Sequence, residues 1–144
     1  MIQFERSNEG ISEKCLAEFE QRSGIVLPEQ YKNFLRQQNG GRPDIGEFNV
    51  PGWGDSIVNS FYGIAVGDSS DVESTIRSLS DVIPSHMIPI GNDPGGNQIC
   101  VGIEGTSLGK IYFWDHENWD NDSGEENPIQ IASSLEEFFT ICKP

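Results

Sequence analysis

The spacing of apolar residues changes twice along this chain, and that change limits its fold more than any other feature. Near the N-terminus the period is helical. Ile11, Cys15, Leu16 and Phe19 fall on one helical face, Ser12 is placed to cap it with Glu13 in its first turn, and Gly24 is placed to stop it. A second helix opens at Pro28, buries Tyr31, Phe34 and Leu35, and ends at Asn39-Gly40-Gly41, with Pro43 preventing a restart. A third, over about Ser70 to Ser80, has Ser70 or Asp71 as its cap and Val72, Ile76 and Leu79 as its buried stripe.

From Met87 onward the period becomes two. Met87 to Ile90 reads as a short strand, and residues 91–97 (GNDPGGN) as a turn. Gln98 to Ile103 alternates Ile99, Val101 and Ile103 on one face, as a half-buried strand does. Lys110 to Asp115 and Pro128 to Ala132 complete a meander. The helical period then returns: Leu135, Phe138, Phe139 and Cys142 share a face behind Ser134 with Glu137, or Ser133 with Glu136, as a capping box. Residues 44–55 are rich in Gly and Pro and read as a loop or irregular edge, and Ser56 to Ala65 as a strand or strand pair. The expected architecture is one α+β domain over residues 1–144. Its mainly antiparallel sheet of about four to six strands is packed by an N-terminal helix pair, a middle helix and a C-terminal helix.

Charge is segregated. Residues 1–42 carry six acids and six bases, whereas residues 43–144 carry seventeen acids and only Arg77, Lys110 and Lys143, so the net charge of −14 lies in the later part. Such a surface repels nucleic acid and anionic membrane and attracts a basic protein, although net charge also serves solubility alone. No apolar run approaches the ~18 residues of a membrane span, and the N-terminus has no signal-peptide pattern, so a cytoplasmic location is expected. Cys15, Cys100 and Cys142 are odd in number, widely spaced and free of any CxxC, which points to thiols and not to a disulfide framework.

Residues 115–126 concentrate Asp115, Glu117, Asp120, Asp122, Glu125 and Glu126 around Trp119, while Trp53 and Asp55 lie in the other Gly-rich segment. Aromatic side chains ringed by charge suit the centre of a protein interface, so these nine residues are the candidate partner-binding set; the alternative is a solvated loop with Trp119 tucked into the core. Asn118, Asp120 and Asp122 alternate as calcium ligands do, but the required Gly and twelfth-position Glu are missing. The glycines of residues 91–97 precede no GK[ST] and join two strands, so they are no phosphate cradle. His86 and His116 sit in no zinc spacing and no GxSxG is present. No cofactor, metal or catalytic residue is therefore expected, and the protein is expected not to be an enzyme; a hydrolase built on surface carboxylates would need a deep pocket holding perturbed acids.

Three segments together resemble the SUKH superfamily, in the branch of the fungal cell-wall assembly regulators. They are residues 27–35 (LPEQYKNFL) with Asn39-Gly40-Gly41, residues 88–100 (IPIGNDPGGNQIC), and residues 109–116 (GKIYFWDH). The likeness runs over roughly residues 11 to 142 and adds the Ser-capped last helix. It implies an α+β fold and, for bacterial members, a non-enzymatic immunity protein that neutralises a cognate toxin domain; charge adds that the toxin is basic, with a nuclease as one class that fits. It implies as the alternative a general regulatory interaction module of the cell-wall regulator type. The shared motifs have structural jobs, so partner choice is expected in the less stereotyped acidic and aromatic loops. The oligomeric state is not specified by any of these features.

Overall fold

A computed structural model describes residues 4–44, 46–67, 71–118 and 127–143. The elements run β1 (Phe4–Ser7), α1 (Glu13–Ser23), α2 (Glu29–Gln37), β2 (Gly41–Pro43), β3 (Glu47–Val50), β4 (Gly54–Ile57), β5 (Ser60–Phe61), α3 (Val72–Leu79), β6 (Met87–Asn92), β7 (Gln98–Gly102), β8 (Ile111–Trp114), β9 (Ile129–Ala132) and α4 (Leu135–Ile141). The architecture is α+β. Among the described residues the main sheet has seven strands in the order β1-β2-β5-β6-β7-β8-β9, each antiparallel to its neighbours, and β3 and β4 form a separate two-stranded sheet.

The helix ends follow local chemistry. The Ser12 hydroxyl accepts the Cys15 N–H, and Gly24 closes α1 in the left-handed region. The Asp71 carboxylate accepts the N–H groups of Glu73 and Ser74 at the start of α3. At α4 Ser134 is the cap: its Oγ accepts the Glu137 N–H, and the Glu137 carboxylate reaches back to accept the Ser133 N–H and hydroxyl, which hold it below the usual carboxylate range, whereas Ser133 does not pair with Glu136.

Strand periodicity then sorts the side chains. Ile88, Ile90, Ile99, Val101, Ile111 and Phe113 face the helices, where Leu16, Phe19, Tyr31, Phe34, Leu35, Phe138 and Phe139 close over them. The alternate residues Met87, Cys100 and Trp114 point to the other face and form a smaller cluster with Ile83, roofed by Leu79 and Val82 at the end of α3.

Most of the segment expected as a loop or irregular edge over 44–55 is instead a hairpin, formed by β3 and β4. Phe48 and Val50 point inward while Glu47 and Asn49 point out, so the period of two was present beneath the Gly and Pro content. Pro51 and Gly52 occupy the centre of the turn, the Trp53 N–H donates to Val50 O at 3.0 Å, and Gly52 has φ +75°. That is the type II pattern, which needs a left-handed residue at its third position. The segment expected from Ser56 to Ala65 is split. Its first residues finish β4, and only Ser60 and Phe61 join the main sheet.

Asn39 locks α2 to this segment. Its amide donates to Ile64 O at 2.7 Å and accepts the Ile64 N–H at 2.8 Å. Gly40 follows at φ +81°, where a Cβ would meet Tyr62 O at 2.6 Å, so the backbone there admits only glycine.

Phe138 has no exposed surface and packs edge-on against Phe48 at 5.2 Å and beside Phe139 at 6.3 Å. Replacing it by alanine is expected to cost about 3–5 kcal/mol, as a large-to-small core change does. Urea denaturation checks this, with a fall in midpoint at unchanged slope as the expected result.

Candidate functional site

Three segments converge at one end of the molecule: the turn of the β3–β4 hairpin, the turn joining β6 to β7, and the chain leaving β8. Trp53, 38% exposed, stands at the hairpin tip. Its ring centroid lies 4.7 Å from that of Phe113, and its indole N–H donates to Asp115 Oδ2 at 3.1 Å. The Glu117 N–H donates to the other Asp115 oxygen at 2.9 Å. Asp115 thus fixes both the indole and the short 3-10 turn His116–Asn118. Asn127 brackets the same residue, accepting the Asp115 N–H and donating to the Asp115 carbonyl.

Beneath this lies a network that sequence reasoning missed. Asp93, buried, accepts the N–H groups of Gly95 and Asn97 on one oxygen and the Ser56 hydroxyl and Asn97 amide on the other, at 2.8–3.0 Å. Asn97 Oδ1 in turn accepts the His116 N–H at 3.1 Å and lies 2.7 Å from His116 Nδ1. A carbonyl oxygen only accepts, so Nδ1 carries the hydrogen and Nε2 is the ring nitrogen left for solvent. One buried carboxylate therefore joins β4, the β6–β7 turn and, through Asn97, the segment after β8. Its only sequence signal was the turn composition Asp-Pro-Gly-Gly-Asn, in which an Asx side chain organises the backbone two to four residues on.

The structure thus brings four members of the candidate set to one end. Trp53 and Asp55 sit on the hairpin, and Asp115 and Glu117 follow β8. Asp55 accepts the Asn49 amide across β3–β4 at 3.0 Å. Trp119, Asp120, Asp122, Glu125 and Glu126 lie outside the described residues. Trp53 and Asp115 bond each other, so part of each is spent on holding the site together, whereas Asp55 and Glu117 are exposed.

Electrostatics divides the molecule in the same way. On the helical side several acids meet bases: Arg22 pairs with Glu73, Arg36 with Glu13 and Glu29, and Lys32 with Glu29. Hydrogen bonds from Arg36 hold Glu13 and Glu29 below the usual carboxylate range. Among the described residues no ion pair reaches Glu47, Asp55, Asp115 or Glu117.

Features that would mark catalysis do not assemble among the described residues. No group of three or more His, Cys, Asp or Glu side chains is placed to hold a metal ion. The buried acids Asp71 and Asp93 are both engaged by backbone N–H groups and line none of the described clefts. Burial pushes the Cys100 thiol upward and that of Cys142 up to about 12, so neither supplies a thiolate at neutral pH. Among the described residues no helix is long and apolar enough to cross a membrane.

An α+β protein whose main core lies between helices and an antiparallel sheet, with a hairpin-and-turn cluster at one end, defines the class. The chain belongs to the SMI1/KNR4 family (SUKH-1), whose model matches residues 10–141. Among curated proteins it is similar to the SPbeta prophage-derived uncharacterized protein YokK of Bacillus subtilis (strain 168), with 36% identity over 141 residues, covering 85% of this chain and 70% of that protein.

Asp93→Asn tests the network. The substitution turns one acceptor into an NH2 group facing donors, and the expected loss is about 1–3 kcal/mol of stability. Thermal and urea denaturation measure it, and an unchanged midpoint would show that the buried carboxylate is dispensable.

Proposed function

We propose that this protein is a non-enzymatic immunity protein that binds and neutralises a cognate bacterial toxin domain by occluding it. The observation that carries the reading is the preorganised Trp53. Its indole is held against Phe113 and Asp115 yet remains partly exposed, beside carboxylates without internal ion partners. A rigid aromatic loses little freedom on binding and can supply the energetic centre of an interface. The acids around it complement a basic surface, hasten encounter and orient the partner. Membership of the SUKH-1 family supports a protein partner, and the chemistry of the site suits a binding face more than a reaction centre.

In this reading the contact surface is made by Trp53, Asp55, Asp115 and Glu117, extended by Trp119, Asp120, Asp122, Glu125 and Glu126. The toxin is a basic protein, with nucleases as a class whose substrate site must itself be cationic. The protein acts in the cytoplasm, without cofactor, metal, nucleic acid or membrane.

A toxin gene directly beside this one in its genome is expected, and co-expression with the domain it encodes tests the proposal, with restored growth as the expected outcome. Trp53→Ala is expected to weaken the purified complex by about 2 kcal/mol or more, as loss of an interface anchor does. Asp120→Asn, Asp122→Asn, Glu125→Gln and Glu126→Gln together are expected to lower the association rate and flatten its salt dependence while the fold is retained. Calorimetry and stopped-flow mixing at two ionic strengths read both effects; wild-type affinity and salt slope in both variants would remove this face from the mechanism.

A further inference from the structure

The Trp53 side chain has one polar group, the indole N–H, and Asp115 Oδ2 already accepts it at 3.1 Å. The Trp53 backbone N–H is taken as well, by Val50 O at 3.0 Å. Phe113 lies against the ring with its centroid 4.7 Å away, yet the residue remains 38% exposed. What Trp53 offers a partner is therefore hydrocarbon and π surface without a free donor. Donation to a carboxylate also polarises the indole, and the negative potential over its faces deepens.

Ring and carboxylate cannot be covered separately, because they touch. Asp115 is half-buried, and its two oxygens accept one N–H each, from Trp53 and Glu117, which leaves lone pairs open on both. Among the described residues no cation pairs with it. Residues 111–142 contain no Lys or Arg, so the chain over 119–126 brings none either. Lys110 precedes β8 whereas Asp115 follows it, and Lys143 bridges to Glu47 at the base of the hairpin, away from its tip. A partner group laid on the indole thus strips water from an anion that has no internal counter-charge. An apolar group would leave that carboxylate desolvated and unpaired, which is strongly unfavourable. A cation over the ring meets both needs at once.

We infer that the Trp53–Asp115 pair receives an arginine side chain of the partner, its guanidinium stacked on the indole and donating to the open lone pairs of the Asp115 carboxylate. The inference rests on the reading of this end as the partner face and names the group that occupies its centre. Guanidinium fits where ammonium does not. It is planar, weakly hydrated and carries its donors in a fixed in-plane fork, so it can stack and bond a carboxylate at the ring edge together. An ammonium is compact and strongly hydrated, and must shed more water to approach the same ring.

Nuclear magnetic resonance titration of the whole isotope-labelled chain, with no toxin present, tests it. The probes are the acetylated methylamides of arginine, of lysine and of citrulline, the last a neutral isostere of the first. The arginine probe is expected to shift the Trp53 indole and Glu117 amide resonances saturably in the millimolar range. The lysine probe is expected to bind at least about threefold more weakly, and the citrulline probe to give no saturable shift. Trp53→Leu keeps apolar surface and removes the π face. It is expected to abolish the preference for arginine over lysine at the Glu117 amide, with an unchanged circular dichroism spectrum. Absence of a saturable shift in the wild-type chain overturns the inference. So does citrulline matching arginine, lysine matching arginine, or a preference that survives Trp53→Leu. These results bear on the arginine contact alone, whereas failure to restore growth in co-expression bears on neutralisation alone.

Discussion

A chain of aromatic rings in contact is the interaction on which the rest of this structure depends. It starts at Phe4 on β1, passes through Phe34, Phe61, Phe139, Phe138, Phe48 and Phe113, and ends at Trp53 on the hairpin tip, each centroid 4.7–6.1 Å from the next except Phe138 and Phe139 at 6.3 Å. Tilted and edge-on pairs dominate, the geometry that aligns ring edges with ring faces. The rings come from α2, α4, the main sheet and the small sheet, so one continuous contact joins elements that share no backbone ladder. The hairpin of β3 and β4 in particular has no strand partner in the main sheet, and Phe48 wedged between Phe113 and Phe138 fixes its position. Trp53 is therefore carried on the core and not on a loose turn.

That framework converts a charge pattern along the chain into a charge pattern in space. The order of strands across the sheet follows their order in the chain, apart from the excursion of β3 and β4. The neutral first residues consequently build one edge with α1 and α2, and the acidic remainder builds the other. Had the strands been interleaved, the same composition would have given a mixed surface. Helix pairing sharpens the contrast, because Glu13 of α1 and Glu29 of α2 are bound by Arg36 and Lys32 while the acids of the hairpin and the β8 exit have no such partner among the described residues.

The helices and the meander were legible because each carries a strong local signal: Ser12, Asp71 and Ser134 at the caps, and Ile99 with Val101 at a period of two. The hairpin was obscured because Gly52 and Gly54 dilute a four-residue alternation, and β1 because four residues give too little period to read. Of the candidate site, the convergence of Trp53 with Asp115 could not be read, since 62 positions separate them and nothing local records that the β8 exit meets the hairpin. The role of Asp93 escaped for a different reason. Acids were weighed as surface charge, whereas this one is buried and discharges its negative field into four neutral donors.

The residues that carry the family resemblance are accordingly the ones least free to choose a partner. Asn39 is saturated by Ile64, Gly40 is pressed against Tyr62, and Asp93 and Asn97 are spent on joining three segments. Changing any of them alters the frame before it alters a surface. Trp53, Asp55 and Glu117 sit one layer further out, positioned by that frame without being consumed by it, and a substitution there changes what is presented and not how it is held. A scaffold arranged this way can keep its core motif while its end face varies, which is the property a protein needs when its partner changes from one lineage to the next.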